Sequence, residues 1–239
     1  MSRAPAILIT GAARGIGRAM ALHLAAPGTL LLLHYRNSAA EARQVAGEAE
    51  KKGAQTELLQ ADLAEAQPRE ALMDAVAARS AHLTALINNV GNYAEVGLLE
   101  ITPEQWRHTL EVTCNAVFHL TQRAVPLLRK GAPARVINLG DSGSDRIVAR
   151  TAATPYHIAK LGVHVLTRSY AKLLAGEGIT VNQISPGFLE NSVGQPGSPI
   201  PAGREGRLGD LLPALDYLLS PQADFVTGTT ITVAGGWNL

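Results

Sequence analysis

The sequence predicts an α/β fold: one domain, 1–239, built on a doubly wound parallel sheet with helices on both faces. Short apolar runs alternate with longer Ala-, Leu-, Glu- and Arg-rich stretches, the rhythm of repeated strand–helix–strand units. The fully apolar runs, 6–9 and 30–33, are as expected of strands covered on both faces. A glycine-rich turn follows the first run.

Taken in order, strands are expected at 6–9, 30–33, 83–87, 135–139 and 179–184. Helices are expected between them at 15–26, 39–52, 68–80, 103–130 and 155–175, from periodicity and breakers. The segment 186–209 is dense in Gly, Pro and Ser without a hydrophobic period, and it reads as an active-site loop. At 239 residues, with 46% hydrophobic and 17% charged, the chain is long enough to bury a full core.

Composition also limits the function. The formal net charge is +1 and the cations are scattered, so neither a nucleic-acid nor an anionic-membrane partner is expected. Cys114 is the only cysteine, and the seven histidines lack metal-site spacing, so metal-free chemistry in a reducing compartment is expected. Residues 1–10 do not resemble a signal peptide, and the 30–33 run is too short to span a bilayer. A cytoplasmic protein is expected.

Thr10-Gly11-Ala12-Ala13-Arg14-Gly15-Ile16-Gly17 follows the first strand. Glycines so spaced let the backbone approach a pyrophosphate and aim a helix N-terminus at its charge. A proton-accepting Asp or Glu, which would hold the ribose hydroxyls of NAD, is missing at the end of the second strand, His34-Tyr35-Arg36-Asn37-Ser38. Arg36 there can bond a 2′-phosphate, with Arg14, Asn37 and Ser38 as helpers, so NADP(H) is favoured over NAD(H). Asp62 and Leu63 lie between the 39–52 and 68–80 helices, after a third strand that no fully apolar run marks, and Asp62 can accept from adenine there. Asn89 and Gly91 follow the fourth, at the edge where open sheets bind ligands, and Asn89 can fix backbone geometry.

The chemical signal is Tyr156-His157-Ile158-Ala159-Lys160 at the start of a helix, whose four-residue offset puts phenol and ammonium on one face. A phenol titrates near 10, and a neighbouring lysine cation favours phenolate, which suits Tyr156 to proton transfer with a carbonyl.

These motifs, together with Val181-Asn182-Gln183-Ile184-Ser185-Pro186-Gly187 and Val226-Thr227-Gly228, resemble the short-chain dehydrogenase/reductase family over nearly the whole chain. The resemblance implies a Rossmann-type sheet of about seven strands, with nicotinamide near Tyr156 and Lys160 and Pro186-Gly187 beside its ring. It also implies a homodimer or homotetramer paired through the 103–130 and 155–175 helices.

The chain departs from the family pattern in three places. Asp141 stands where a carbonyl-steadying serine is usual, with Ser142 the second candidate and Ser144 a further slip of the alignment. The family's relay asparagine falls on Thr113, with Asn115 two places on, about 200° round the helix. The loop after Gly187 looks shorter than the family's substrate lid, which fits either a carrier-bound substrate or a lid completed by a neighbouring subunit.

The expected activity is NADP(H)-dependent reduction of a carbonyl, 3-oxoacyl or a related ketone, small or carrier-bound. Because Asp141 and the HYRNS segment are similar to pteridine reductases, a dihydropteridine is the rival substrate. From another class, a catalytically silent NADP(H)-binding sensor or assembly protein stays open.

Overall fold

The computed structural model describes residues 5–143, 145–194 and 196–238. Seven parallel strands lie in the order β3-β2-β1-β4-β5-β6-β7. They are β1 Ala6–Ile9, β2 Leu30–Tyr35, β3 Gln55–Gln60, β4 Ala85–Asn88, β5 Ala134–Leu139, β6 Ile179–Pro186 and β7 Thr230–Val233. Between them run α1 Gly15–Leu24, α2 Ala39–Lys51, α3 Ala66–Arg79, α4 Pro103–Leu110, α5 Ala116–Gly131, α6 Thr154–Leu174 and α7 Leu212–Leu219. The order reverses between β1 and β4, the switch point at which such sheets bind ligands beyond the strands' carboxyl ends.

Strand residues divide by parity, because successive side chains point to opposite faces. Leu8, Leu32, Leu86 and Val136 pack with α3 and α5 residues such as Leu72 and Leu120 in one core. Ile7, Ile9, Leu31 and Ile137 pack with Met20 of α1, Val45 of α2 and Leu215 of α7 in the other. Both faces being covered explains the unbroken apolar runs. A buried chain of hydrogen bonds locks α6 to the sheet: Asn88 Nδ2 donates to Asn138 Oδ1 (2.8 Å), and Asn138 Nδ2 donates to Thr167 Oγ1 (2.9 Å).

One expected element is corrected. The 103–130 helix is interrupted by a π turn at Glu111–Asn115, which closes with the Ala116 N–H donating to Glu111 O. The buried Arg69 anchors it, donating to Glu111 Oε2 and to Leu63 O, each at 2.8 Å. Upstream, α4 starts cleanly on the Thr102/Gln105 capping box with Pro103 in the first turn. No helix among the described residues is long and apolar enough to cross a membrane.

Candidate active site

The glycine turn is held from two sides. Gly11 adopts φ +66°, and a Cβ on Gly17 would stand 2.2 Å from Gly11 O, so neither position takes a side chain without displacing the turn. From β4, Asn89 Nδ2 donates to Thr10 O at 2.9 Å. From β2, the buried His34 accepts from Gly11 N–H through Nδ1 (3.1 Å) while its main-chain carbonyl accepts from Ala12 N–H (2.9 Å). The first turn of α1 has no side-chain cap, which leaves its N–H groups for an anion.

Around this cradle, the Arg36 guanidinium stands 3.9 Å from the Asp62 carboxylate, and both are well exposed. Asp62 also accepts from Ala64 N–H at 2.9 Å. Arg14 is ion-paired with Glu41 of α2. Asn37 lies in the bend after β2, and Ser38 opens α2 without using its side chain as a cap. The Leu63 side chain is buried in the core, which leaves its main chain to a ligand.

Beyond the carboxyl ends of β4, β5 and β6 opens a cavity of about 710 Å³. Its walls include Ile16, Asn89, Gly91, Asp141, Tyr156, Lys160, Pro186 and Gly187. Lys160 is buried, donates from Nζ to Leu139 O at 2.6 Å and lies 5.6 Å from the centre of the Tyr156 ring. The helical offset therefore brings phenol and ammonium together, as its spacing predicts.

The acid–base balance differs from the expected one. Burial, followed by the nearby Asp141, pushes the Tyr156 phenol above its ordinary value, so in the free protein it holds its proton firmly. Burial lowers Lys160 to about 8, opposed by the attraction of Asp141. Burial raises Asp141 to about 6, opposed by Lys160 and Arg150. The expected depression of the phenol by lysine is not what governs it: desolvation is the largest effect, and Asp141 and Tyr93 act in the same raising direction.

Asp141, not Ser142, forms the cavity wall. Ser142 is fully buried, its N–H donating to Pro186 O at 2.9 Å and its Oγ 3.4 Å from Asn238 Nδ2. Ser144 lies outside the described residues. Thr113 is buried in the π turn, where its Oγ1 accepts from Asn92 N–H at 3.0 Å. Asn115 instead donates to Glu111 Oε1 at 2.8 Å and so does not take Thr113's place.

Sequence reasoning missed several wall residues: Tyr93, whose ring meets Tyr156 edge-on at 5.1 Å, and Arg150, His157, Phe188 and Trp237. Trp237 meets Phe188 edge-on at 6.0 Å, so a residue near the end of the described chain helps to wall the cavity. His157 lies inside the tyrosine–lysine motif, so its place one residue after Tyr156 was a usable signal. Phe188 directly follows Pro186-Gly187 in the segment expected to be an active-site loop, and the others sit in loops without a motif.

A parallel sheet of this order with a glycine-rich turn at its switch point defines the dinucleotide-binding class of α/β proteins. A family model described as enoyl-(acyl carrier protein) reductase matches residues 11–238. The 3-oxoacyl-[acyl-carrier-protein] reductase FabG of Staphylococcus aureus is 32% identical over 245 residues, covering 99% of each chain. The Pseudomonas aeruginosa RhlG/NADP active-site complex superposes with a TM-score of 0.88 at 30% identity, covering 98% of this chain and 96% of its own. A short-chain dehydrogenase of Burkholderia cenocepacia in complex with NADP gives a TM-score of 0.90 at 28% identity, covering 100% and 99%. The chain belongs to the short-chain dehydrogenase/reductase family.

Proposed function

We propose that the chain is an NADP(H)-dependent oxidoreductase, acting as one domain, that reduces the carbonyl of a 3-oxoacyl group or related ketone with Tyr156 as proton donor. The observation that carries this reading is the one cavity that runs from Ile16 and Asn89, beside the glycine turn, to the half-buried Tyr156 and the buried Lys160. The residues fit the cofactor. Gly11, Gly15, Ile16 and Gly17 would hold its pyrophosphate, Arg36 with Arg14, Asn37 and Ser38 its 2′-phosphate, and Asp62 and the Leu63 main chain its adenine. Asn89, Gly91, Pro186, Gly187 and Lys160 would hold the nicotinamide half.

When bound, NADPH supplies the hydride. Tyr156 gives its proton to the carbonyl oxygen, and the Lys160 ammonium stabilises the phenolate left behind. Asp141, in its protonated form, donates a hydrogen bond to the same oxygen as a serine hydroxyl would. The Thr113 hydroxyl, while accepting from Asn92, keeps a proton with which to hold a water in a relay to Lys160. A phenol that keeps its proton at neutral pH is in the form that can donate to a carbonyl.

The named substrate of the FabG relatives supports a carrier-bound 3-oxoacyl group, as does the short loop over the cavity. Asp141 in the wall equally favours a dihydropteridine, whose ring nitrogens a carboxylate can hold. The paired Tyr156 and Lys160 argue against a silent binder. Exposed Phe118 on α5 and Ile158 and Val165 on α6 support pairing into a dimer or tetramer, and the lone Cys114 supports a reducing, cytoplasmic compartment. The test is NADPH oxidation by the purified protein against a 3-oxoacyl thioester, a dihydropteridine and simple ketones, with NADH as control. Turnover on the thioester supports the reading, turnover on the pterin alone replaces the substrate, and NADPH binding without any turnover overturns the enzyme assignment.

A further inference from the structure

The buried His34 has no part in the proton chemistry, yet it touches each element that builds the adenosine side of the cleft. Its Nε2 lies 3.1 Å from Ala61 O, at the end of β3. A carbonyl only accepts, so Nε2 carries the proton; Nδ1 accepts from Gly11 N–H, so it carries none. The ring is therefore a neutral imidazole in a single tautomer, bridging the glycine turn after β1 to the loop after β3. With 2% exposure it admits no water to replace either bond. Asp62 directly follows the bonded carbonyl, and Arg36 lies two residues beyond His34, so this one ring links the segments that carry the glycine turn, Arg36 and Asp62.

We propose that His34 is a positioning residue for the dinucleotide: by bridging Gly11 and Ala61 it fixes the spacing between the pyrophosphate cradle and the adenosine wall. This rests on the NADP(H) reading of the cleft. The role differs from that of Arg36, which addresses only the 2′-phosphate, because the spacing set by His34 serves NADPH and NADH alike. It also differs from that of Asn89, which holds the same turn from β4 and leaves the adenosine wall untouched.

The test is titration of the folded protein with NADPH and with NADH by fluorescence, alongside steady-state kinetics. His34→Phe keeps a ring of similar size and leaves Gly11 N–H and Ala61 O unpaired, so the expected loss is about 10- to 100-fold in affinity for both cofactors. KM for NADPH should rise far more than kcat falls. His34→Asn supplies an acceptor near the Nδ1 position and His34→Gln a donor near Nε2, so each should recover part of the loss, and both keep the inference testable if the Phe variant does not fold. A folded variant whose NADPH affinity stays within twofold of wild type overturns the inference, as does a loss confined to NADPH or one carried by kcat. Wild type that binds neither cofactor overturns the NADP(H) reading itself.

Discussion

The two ends of the cleft are built differently. At the cofactor end, Gly11, His34, Asn89 and Asp62 lie at or just beyond strand ends, so the sheet ladder sets their positions and main-chain hydrogen bonds fix the turn between them. At the substrate end, Tyr93, Asp141, Arg150, Phe188 and Trp237 come from four separate stretches of loop, and Val193 in the same wall is 68% exposed. Tyr156 and Lys160 stand at the boundary, on a helix tied to the sheet through Thr167. A fixed grip on one ligand therefore adjoins a wall that can change without disturbing the sheet.

The contrast can be broken or sharpened by substitution. The largest effect is expected for Gly17→Val, because its Cβ alone would overlap Gly11 O. NADPH titration should show no saturation, and affinity within tenfold of wild type would mean the cradle is not rigid. Next, Arg36→Ala should weaken NADPH by about 1–3 kcal/mol, the scale of charge-assisted bonds, and spare NADH. Equal losses for both cofactors would remove the 2′-phosphate assignment.

A smaller effect is expected at the substrate end. Asp141 titrates near 6 in the folded protein, above the ordinary carboxylate value, so its protonated, donating form gains population as pH falls through 6. Ketone kcat/KM should therefore rise a few-fold from pH 7 to 5, and Asp141→Asn, with a permanent amide donor, should lose that inflection. The same sign applies to stability. Between about pH 6 and pH 4 the folded chain holds a proton that the unfolded chain releases, so stability rises as pH falls through that window. In Asp141→Asn this contribution to the slope of Tm against pH should vanish, and an unchanged slope would mean that Asp141 is better solvated than the wall implies.

How much was legible in the sequence follows the same division. The bounds of β1, the glycine turn, Asn89 and the tyrosine–lysine pair are local patterns, and the structure brings them to one cleft. Asp141 could be read as a break in a motif, although deciding between it and Ser142 required seeing which one the Asn238 side chain covers. The edge strand Gln55–Gln60 is half-exposed and polar, so no apolar run marks it. The π turn Glu111–Asn115 is not legible, because the stretches on either side of it each keep a helical period and no breaker residue stands between them. Tyr93, Arg150 and Trp237 meet only through loop paths that no spacing rule encodes. For His34 the signal was present, a histidine in an otherwise apolar strand end, but its two partners come from other strands.

The most direct test of the central claim is the rate of NADPH oxidation with a ketone substrate in Tyr156→Phe at saturating cofactor. The account predicts a fall of about 10²- to 10⁴-fold in kcat with NADPH affinity retained, the loss expected when a proton donor is removed. Turnover equal to that of wild type would contradict it.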